Sequence, residues 1–130
     1  MLLVKTKITP SCLHGIGLFA DQFIPVGTHT WRFEPNLDLE KTAEQILQFP
    51  ENIQDWFKQY AYLDFRLNSY ILCVDDARFM NHSHNPTVRP DYTLDRYGVD
   101  VATRDINVGE EITTDYSLIE SDVSLLKDFR

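Results

Sequence analysis

The polar segment Arg78–Pro86 (RFMNHSHNP) directly follows an apolar stretch and carries side chains that can bind a ligand. Asn81 offers both hydrogen-bond donors and acceptors, which suits the amide-rich edge of a small molecule. His82 and His84 point to the same face of an extended segment and could share a metal ion. The neighbouring sequence supplies no third ligand at the usual spacing, so we predict a ligand-binding loop without a metal.

The segment Asn107–Tyr116 (NVGEEITTDY) combines a turn, two adjacent acids and a strand that ends on Asp115 and Tyr116. A tyrosine hydroxyl can accept a hydrogen bond from an amine, and its ring can exclude water. Taken alone, the segment is more typical of an acidic hairpin with a tyrosine at its rim. Its chemical meaning depends on the other polar segments.

The segment Gly15–Ala20 (GIGLFA) matches the G-x-G-x-x-A pattern of a dinucleotide-binding unit. That pattern needs a helix that begins within it and faces a pyrophosphate, and Pro25 and Gly27 leave too little room for one. Gly15 and Gly17 still let the backbone approach a ligand and offer it N–H and C=O groups. A plain turn explains the pair equally well at this point.

The elements that position these segments are predicted to be mainly short strands around one helical insert. Asp38 can cap a helix over Leu39–Gln48, and Pro50 can open a second one over Pro50–Tyr60, so the insert covers about residues 38–60. A third short helix is predicted at Val123–Phe129. Alternation and β-branched residues predict strands at Leu2–Ile8, Gly15–Ala20, Thr28–Phe33, Tyr70–Val74, Val99–Ala102 and Glu111–Thr114.

Length and composition indicate a single folded domain over residues 1–130, with 43% hydrophobic and 25% charged residues. Twelve Lys and Arg against 20 Asp and Glu give a net charge of −8, which repels nucleic acid and favours basic protein partners. The same charge could simply keep the protein soluble. Cys12 and Cys73 are the only cysteines, and neither a signal peptide nor a long apolar segment is evident. We expect an intracellular protein that is not secreted and has no membrane association.

Together, in order and spacing, the segments GIGLFA, RFMNHSHNP and GEEITTDYS resemble the motifs of the SET-domain family of protein lysine methyltransferases. The resemblance extends from Lys5 to about Tyr116. It implies a SET-domain fold of several small β-sheets with a pseudoknot, in which the helical insert occupies a variable position. It also implies transfer of a methyl group from S-adenosyl-L-methionine to a lysine side chain of a protein, with S-adenosyl-L-homocysteine as the product.

The resemblance assigns roles to individual residues. Tyr116 would be catalytic and face the methyl group. Candidates for the lysine channel are aromatic residues in the predicted strands and insert: Phe33, Tyr60, Tyr62 and Tyr70, with Trp31 as a further possibility. The residues expected to bind the cofactor are Gly15, Ile16, Gly17, Arg78, Asn81, His82 and Tyr116.

One departure from the family pattern concerns zinc. His84 stands where many members have a zinc-binding cysteine, and no cysteine follows Cys73. We therefore predict that the zinc module after the domain is missing and that no metal is needed. Closure of the lysine channel would then come from the C-terminal tail, about residues 117–130, or from a second subunit in a homodimer. A module that binds the cofactor or a lysine peptide without turnover is the alternative function, and the number of methyl groups transferred stays open.

Overall fold

The computed structural model describes residues 1–118, and within them short strands dominate, as the sequence predicted. These residues form two helices, α1 (Ala43–Leu47) and α2 (Glu51–Tyr60), and 3-10 turns at Asp76–Phe79 and Tyr116–Leu118. The pseudoknot stays a prediction. The strands are β1 (Thr6–Pro10), β2 (Ile16–Ala20), β3 (His29–Trp31), β4 (Leu39–Lys41), β5 (Tyr62–Asp64), β6 (Ser69–Leu72), β7 (Asn81–His82), β8 (Val88–Asp91), β9 (Val99–Ala102) and β10 (Glu111–Thr114).

The strands form three small sheets, in the orders β1-β2-β10-β7, β3-β9-β8 and β4-β6-β5. In the first sheet β10 lies between β2, to which it is antiparallel, and β7, to which it is parallel. Pro10 ends β1, which is an edge strand of this sheet. Proline has no backbone N–H to donate, and an edge strand tolerates this because it has a neighbouring strand on one side only. The apolar side chains Leu18 and Ile112 are fully buried opposite each other and anchor the register.

The other two sheets supply the walls that surround the candidate site. β9 runs antiparallel to both β3 and β8, so Asp100 lies opposite Trp31 on one side and Pro90 on the other. In the third sheet β6 is central, and its residues Ser69–Leu72 are all buried. One core cluster joins Trp31, Ile71 and Cys73 and therefore connects these two sheets.

The helical insert begins later than the sequence predicted. Leu39–Lys41 is strand β4, paired with β6, so the predicted helix over Leu39–Gln48 was wrong in its first part. Thr42 and Gln45 form a capping box, in which each side chain accepts a hydrogen bond from the other residue's backbone N–H, and α1 starts there. Asp38 does not cap the helix, because its buried carboxylate accepts from the Met1 amine, at 2.8 Å, and from backbone N–H groups.

The second predicted helix is confirmed as α2, with Pro50 immediately before its first residue. β9 and β10 match the predicted strands residue for residue. Besides β4, the strands β5, β7 and β8 were not predicted. The predicted helix Val123–Phe129 lies outside the described residues. No helix in the described part of the chain is both long and apolar enough to cross a membrane.

Candidate active site

The parallel pairing of β7 with β10 brings the second and third polar segments together. Thr113 lies opposite Asn81, and Thr114 lies opposite His82. Tyr116 follows β10 directly and is fixed at two points. Its backbone N–H donates to His82 Nδ1 at 3.0 Å, and its hydroxyl donates to the carbonyl oxygen of Met80. These two hydrogen bonds therefore hold Tyr116 against Met80 and His82, the two residues that flank Asn81.

The side chain of Asn81 connects this pair of strands to the glycine segment. Its amide nitrogen donates to the carbonyl oxygens of His14, at 3.0 Å, and Ile16, at 3.3 Å. The same nitrogen lies 3.5 Å from Glu111 Oε1. Asn81 thus fixes the loop before β2 against β7, and all three polar segments meet at one place.

The two glycines of the first segment serve different purposes. Gly15 has a φ of 47°, in the left-handed region, and a Cβ added there would meet no atom within 4 Å. Gly17 is buried, and a Cβ there would lie 2.0 Å from Glu111 Oε1. Gly15 therefore allows the loop to bend beside open space, whereas Gly17 allows Glu111 to pack close to β2.

Two cavities lie beside Tyr116. The first, here called the loop cavity, encloses about 380 Å³ next to the glycine segment. The second, here called the aromatic cavity, encloses about 280 Å³ between the second and third sheets. Residues common to both are Gln59, Tyr60, Arg78, Met80 and Tyr116. The two cavities therefore meet at the tyrosine that the motifs single out.

The predicted cofactor residues divide into two groups. Five of them line the loop cavity: Gly15, Ile16, Arg78, Asn81 and Tyr116. Gly17 and His82 do not line it and instead support residues that do, since Gly17 packs against Glu111 and His82 accepts the N–H of Tyr116. The sequence indicated that these residues belong together, but their division into lining and support depends on the pairing of β10 with both β2 and β7.

The predicted channel residues also fall into two groups, those that line a cavity and those that lie in the core. Tyr60, Tyr62 and Trp31 line the aromatic cavity. Phe33 is 8% exposed and stacks on Tyr97 with ring centroids 3.9 Å apart, and Tyr70 is 4% exposed in a separate core cluster. The structure thus places Phe33 and Tyr70 in the core. The lining residues that sequence reasoning missed include Tyr92, Tyr97, Asp100 and Thr114.

Three phenols of the aromatic cavity, Tyr62, Tyr92 and Tyr97, have raised pKa values and are held neutral. Burial raises the pKa of Tyr62 well above its ordinary value, and the nearby Cys73 adds to the effect. Burial likewise raises the pKa values of Tyr92 and Tyr97. Neutral hydroxyls can both donate and accept hydrogen bonds, so the wall can hold a polar group without adding charge.

Arg78 stands where the two cavities meet. Its Nη1 donates to the carbonyl oxygen of Val74 at 2.9 Å, and its guanidinium lies 4.6 Å from the ring centroid of Phe79 and 5.5 Å from that of Tyr60. Its Nε is buried and has no hydrogen-bond partner among the described residues. A buried donor of this kind is satisfied by a bound polar group, and a ligand carboxylate suits a guanidinium.

The structure supplies a third side chain to the two histidines that the sequence pairs. Ligand atoms of His82, His84 and Asp115 all lie within 4.8 Å of one another. However, His82 Nδ1 already accepts the N–H of Tyr116, and Asp115 Oδ1 accepts from both Nα and Oγ of Ser117. These bonds to Ser117 hold the pKa of Asp115 below its ordinary value. The prediction that no metal is needed stays a prediction.

The family profile of the SET domain matches residues 15–117, which span all three polar segments and both cavities. This chain belongs to the SET-domain family. No curated protein sequence matches the chain. The predicted family membership and the mainly β fold are both confirmed.

Similar solved structures agree in fold. A Chaetomium thermophilum Polycomb Repressive Complex 2 chain bound to the inhibitor GSK126 has a TM-score of 0.64 at 16% identity, over 94% of this SET domain and 16% of that chain. The complex bound to S-adenosylmethionine has a TM-score of 0.64 at 17% identity, over 96% and 17% of the two chains. A candidate histone methyltransferase of Plasmodium falciparum has a TM-score of 0.56 at 22% identity, over 88% and 95%.

The domain thus spans only about a sixth of the Polycomb chains that it matches. At these identities the likeness shows that the SET domain has the fold of lysine methyltransferases.

Proposed function

We propose that this SET domain transfers a methyl group from S-adenosylmethionine to the side-chain amine of a lysine in a basic protein. The observation that carries the proposal is the meeting of two cavities at Tyr116. The loop cavity would take the methyl donor, and the aromatic cavity would take the lysine. Family membership and the S-adenosylmethionine bound to a protein of the same fold support this choice.

The loop cavity suits the methionine end of the donor. Gly15 leaves open space beside a bent backbone, and the partly buried Arg78 offers an unsatisfied Nε–H to a carboxylate. Asn81 keeps the loop in place through the carbonyl oxygens of His14 and Ile16. When bound, the donor supplies an activated methyl group on a positively charged sulfur.

The aromatic cavity suits a lysine side chain. Methyl transfer is an in-line displacement, so the protein has to align the two reactants and present a neutral amine. A free lysine with a pKa near 10.4 must lose a proton at neutral pH, at a cost of about 4–5 kcal/mol. The rings of Tyr60, Tyr62 and Trp31 exclude water and disfavour the charged ammonium, which lowers this cost.

Tyr116 is the residue that can act on both reactants. Its hydroxyl donates to the Met80 carbonyl, and a phenolic oxygen can also accept an N–H from an amine. That contact would direct the amine lone pair towards the loop cavity. The net charge of −8 would draw a basic protein to the domain.

The test is incubation with labelled S-adenosylmethionine and a panel of basic proteins, such as histones and ribosomal proteins, followed by mapping of the modified residue. We expect label on lysine, and loss of that label with Tyr116→Phe. Calorimetric binding of S-adenosylmethionine without any transfer would instead identify a non-catalytic binding module. Absence of both binding and transfer would reject the proposal.

A further inference from the structure

The aromatic cavity contains one carboxylate, Asp100, among its described lining residues. Asp100 lies on β9, opposite Trp31 on β3 and Pro90 on β8, and all three residues line the cavity. One wall is therefore a continuous face of the β3-β9-β8 sheet. Thr114 and Tyr116, from the end of β10 and the turn after it, line the same cavity.

The Asp100 carboxylate has no hydrogen bond or ion pair with any described residue, although the residue is largely withdrawn from water. Several other half-buried aspartates of this domain have partners, although Asp76 has none among the described residues. Asp91, on the neighbouring strand, accepts hydrogen bonds from both the backbone N–H and the hydroxyl of Thr93. A partly buried carboxylate without such bonds is costly, and a cation inside the cavity would compensate for that cost.

Charges of both signs surround Asp100. Burial raises the pKa of the neighbouring Cys73 thiol, and the charges of Asp38, Asp75 and Asp100 act in the same direction. The Met1 amine is the positive group that acts on Asp100, and that amine is paired with Asp38. The other titratable or charged side chains that line the same cavity are Lys58, Tyr60, Tyr62, Cys73, Arg78, Tyr92, Tyr97 and Tyr116.

We propose that Asp100 binds the ammonium group of the substrate lysine in the aromatic cavity and takes up its proton. This inference rests on the proposed function and adds to it the group that generates the neutral amine. In the step, one N–H bond of the lysine ammonium breaks and its electron pair stays on nitrogen. The proton forms an O–H bond with the carboxylate, which becomes a neutral acid. After the product leaves, that proton passes to water.

The protonation behaviour of Asp100 suits this role. Burial raises its pKa from 3.8 to about 7, and the Met1 amine acts in the opposite direction. A carboxylate whose conjugate acid has a pKa near 7 accepts a proton from an amine about a thousandfold more favourably than an ordinary aspartate carboxylate does. It is also largely ionised above neutral pH, where it can accept the proton.

The first experiment measures initial rates of methyl transfer between about pH 6 and pH 10 for the wild-type protein, Asp100→Asn and Asp91→Asn. We expect Asp100→Asn to lower kcat about 100-fold near pH 7 and to recover towards pH 10, where the lysine is neutral without help. Cofactor affinity should be unchanged, and Asp91→Asn should follow the wild-type profile. An Asp100→Asn profile that matches the wild type at every pH, or a loss that is the same at every pH, would overturn the role in proton transfer.

The second experiment does not depend on turnover. n-Butylammonium mimics the end of a lysine side chain, and 1-butanol is its neutral counterpart, so binding of each can be followed by NMR titration. We expect Asp100→Asn to weaken butylammonium binding at least about tenfold while butanol binding stays the same, since only the cation needs the carboxylate. Equal butylammonium binding by both proteins would reject the site. If the wild type transfers no methyl group, the proposed function fails, and this titration still decides whether Asp100 binds the cation.

Discussion

The backbone N–H of Tyr116 donates to His82 Nδ1 at 3.0 Å, and the two rings stack with their centroids 5.9 Å apart. Under the proposed function, His82 would therefore act on the reaction through Tyr116. The contact joins the middle of the second motif to the end of the third. A histidine beside the asparagine would thus contribute to the site by supporting Tyr116.

The variant His82→Ala should reduce turnover because the N–H of Tyr116 loses its acceptor. An unsatisfied buried donor costs about 1–3 kcal/mol, so we expect turnover to fall about 5- to 150-fold if the tyrosine shifts. His82→Asn offers an oxygen in place of Nδ1 and should restore part of the loss. Steady-state rates and thermal unfolding of both variants are the measurement. Equal rates for the alanine and asparagine variants would show that the hydrogen bond is unimportant.

The variant Tyr116→Phe should keep the fold and the affinity for S-adenosylmethionine, while turnover falls. The ring still fills its space, but the hydroxyl that orients the amine is gone, and such contacts matter chiefly in the transition state. A loss of about 2–4 kcal/mol corresponds to about 30- to 1000-fold slower methylation. Tyr70→Phe removes one hydroxyl from a core tyrosine and is the matched control. Its turnover should stay close to that of the wild type, and the parental rate in Tyr116→Phe would remove Tyr116 from the catalytic role.

The variant Asn81→Ala should lose cofactor binding without unfolding. Its amide nitrogen holds the carbonyl oxygens of His14 and Ile16, so the truncation frees the loop that lines the loop cavity. The loss of these bonds should cost about 1–3 kcal/mol of binding free energy. Calorimetry with S-adenosylmethionine measures it, with the exposed Asn85→Ala in the same segment as control. Unchanged affinity in a folded Asn81→Ala protein would show that the motif is misassigned.

Asp100 should make the stability of the domain depend on pH. Its pKa is about 7 in the folded protein, above the ordinary value of 3.8, so the folded state holds the proton more tightly. The resulting penalty is absent below about pH 4 and complete above about pH 7 to 8. Asp100→Asn should therefore raise the free energy of unfolding by about 1–4 kcal/mol at pH 8, and hardly at all at pH 4. Urea unfolding at both pH values is the test, and equal effects at the two would contradict it.

Chelators should neither unfold nor inactivate the protein. Two of the three side chains that could hold an ion, His82 and Asp115, already accept hydrogen bonds from the backbone that positions Tyr116. A metal would have to compete with those bonds. The measurement is metal content after purification together with activity before and after EDTA. Stoichiometric zinc that resists dialysis would overturn this prediction, and His84→Ala would then identify the site.

The sequence predicted those strands whose own residues have the pattern typical of a strand. Val99–Ala102 and Glu111–Thr114 carry β-branched residues and lie between turns, so local pattern was sufficient. The strand Asn81–His82 has two polar residues and exists only because Thr113 and Thr114 lie beside it. Likewise Leu39–Lys41 has helical character in isolation, and the pairing with β6 overrides it. Contacts made by distant residues were invisible to local reasoning.

The same limit applies to the site. Motif spacing identified Gly15, Asn81 and Tyr116, all of which line the loop cavity. Asp100 reaches the aromatic cavity through the β3-β9-β8 register, and Tyr92 directly follows β8, which was not predicted. Phe33 and Tyr70 were chosen for their aromatic character, but whether such a side chain faces a cavity or the core depends on how the strands around it pair.

The parallel contact between β7 and β10 also determines at which stage of folding the candidate active site can form. Its two partners are far apart in the chain, and pairs of this kind form late because a long loop has to close first. During synthesis, a nascent chain that already carries the glycine segment, Arg78 and Asn81 still has no place for the donor. If the loop cavity holds the donor, ligand cannot assist folding until Tyr116 has been made, so the first folding steps depend on local pairs such as β1-β2, β5-β6 and β8-β9. A truncation just before β10 would therefore yield a chain that no amount of S-adenosylmethionine can rescue.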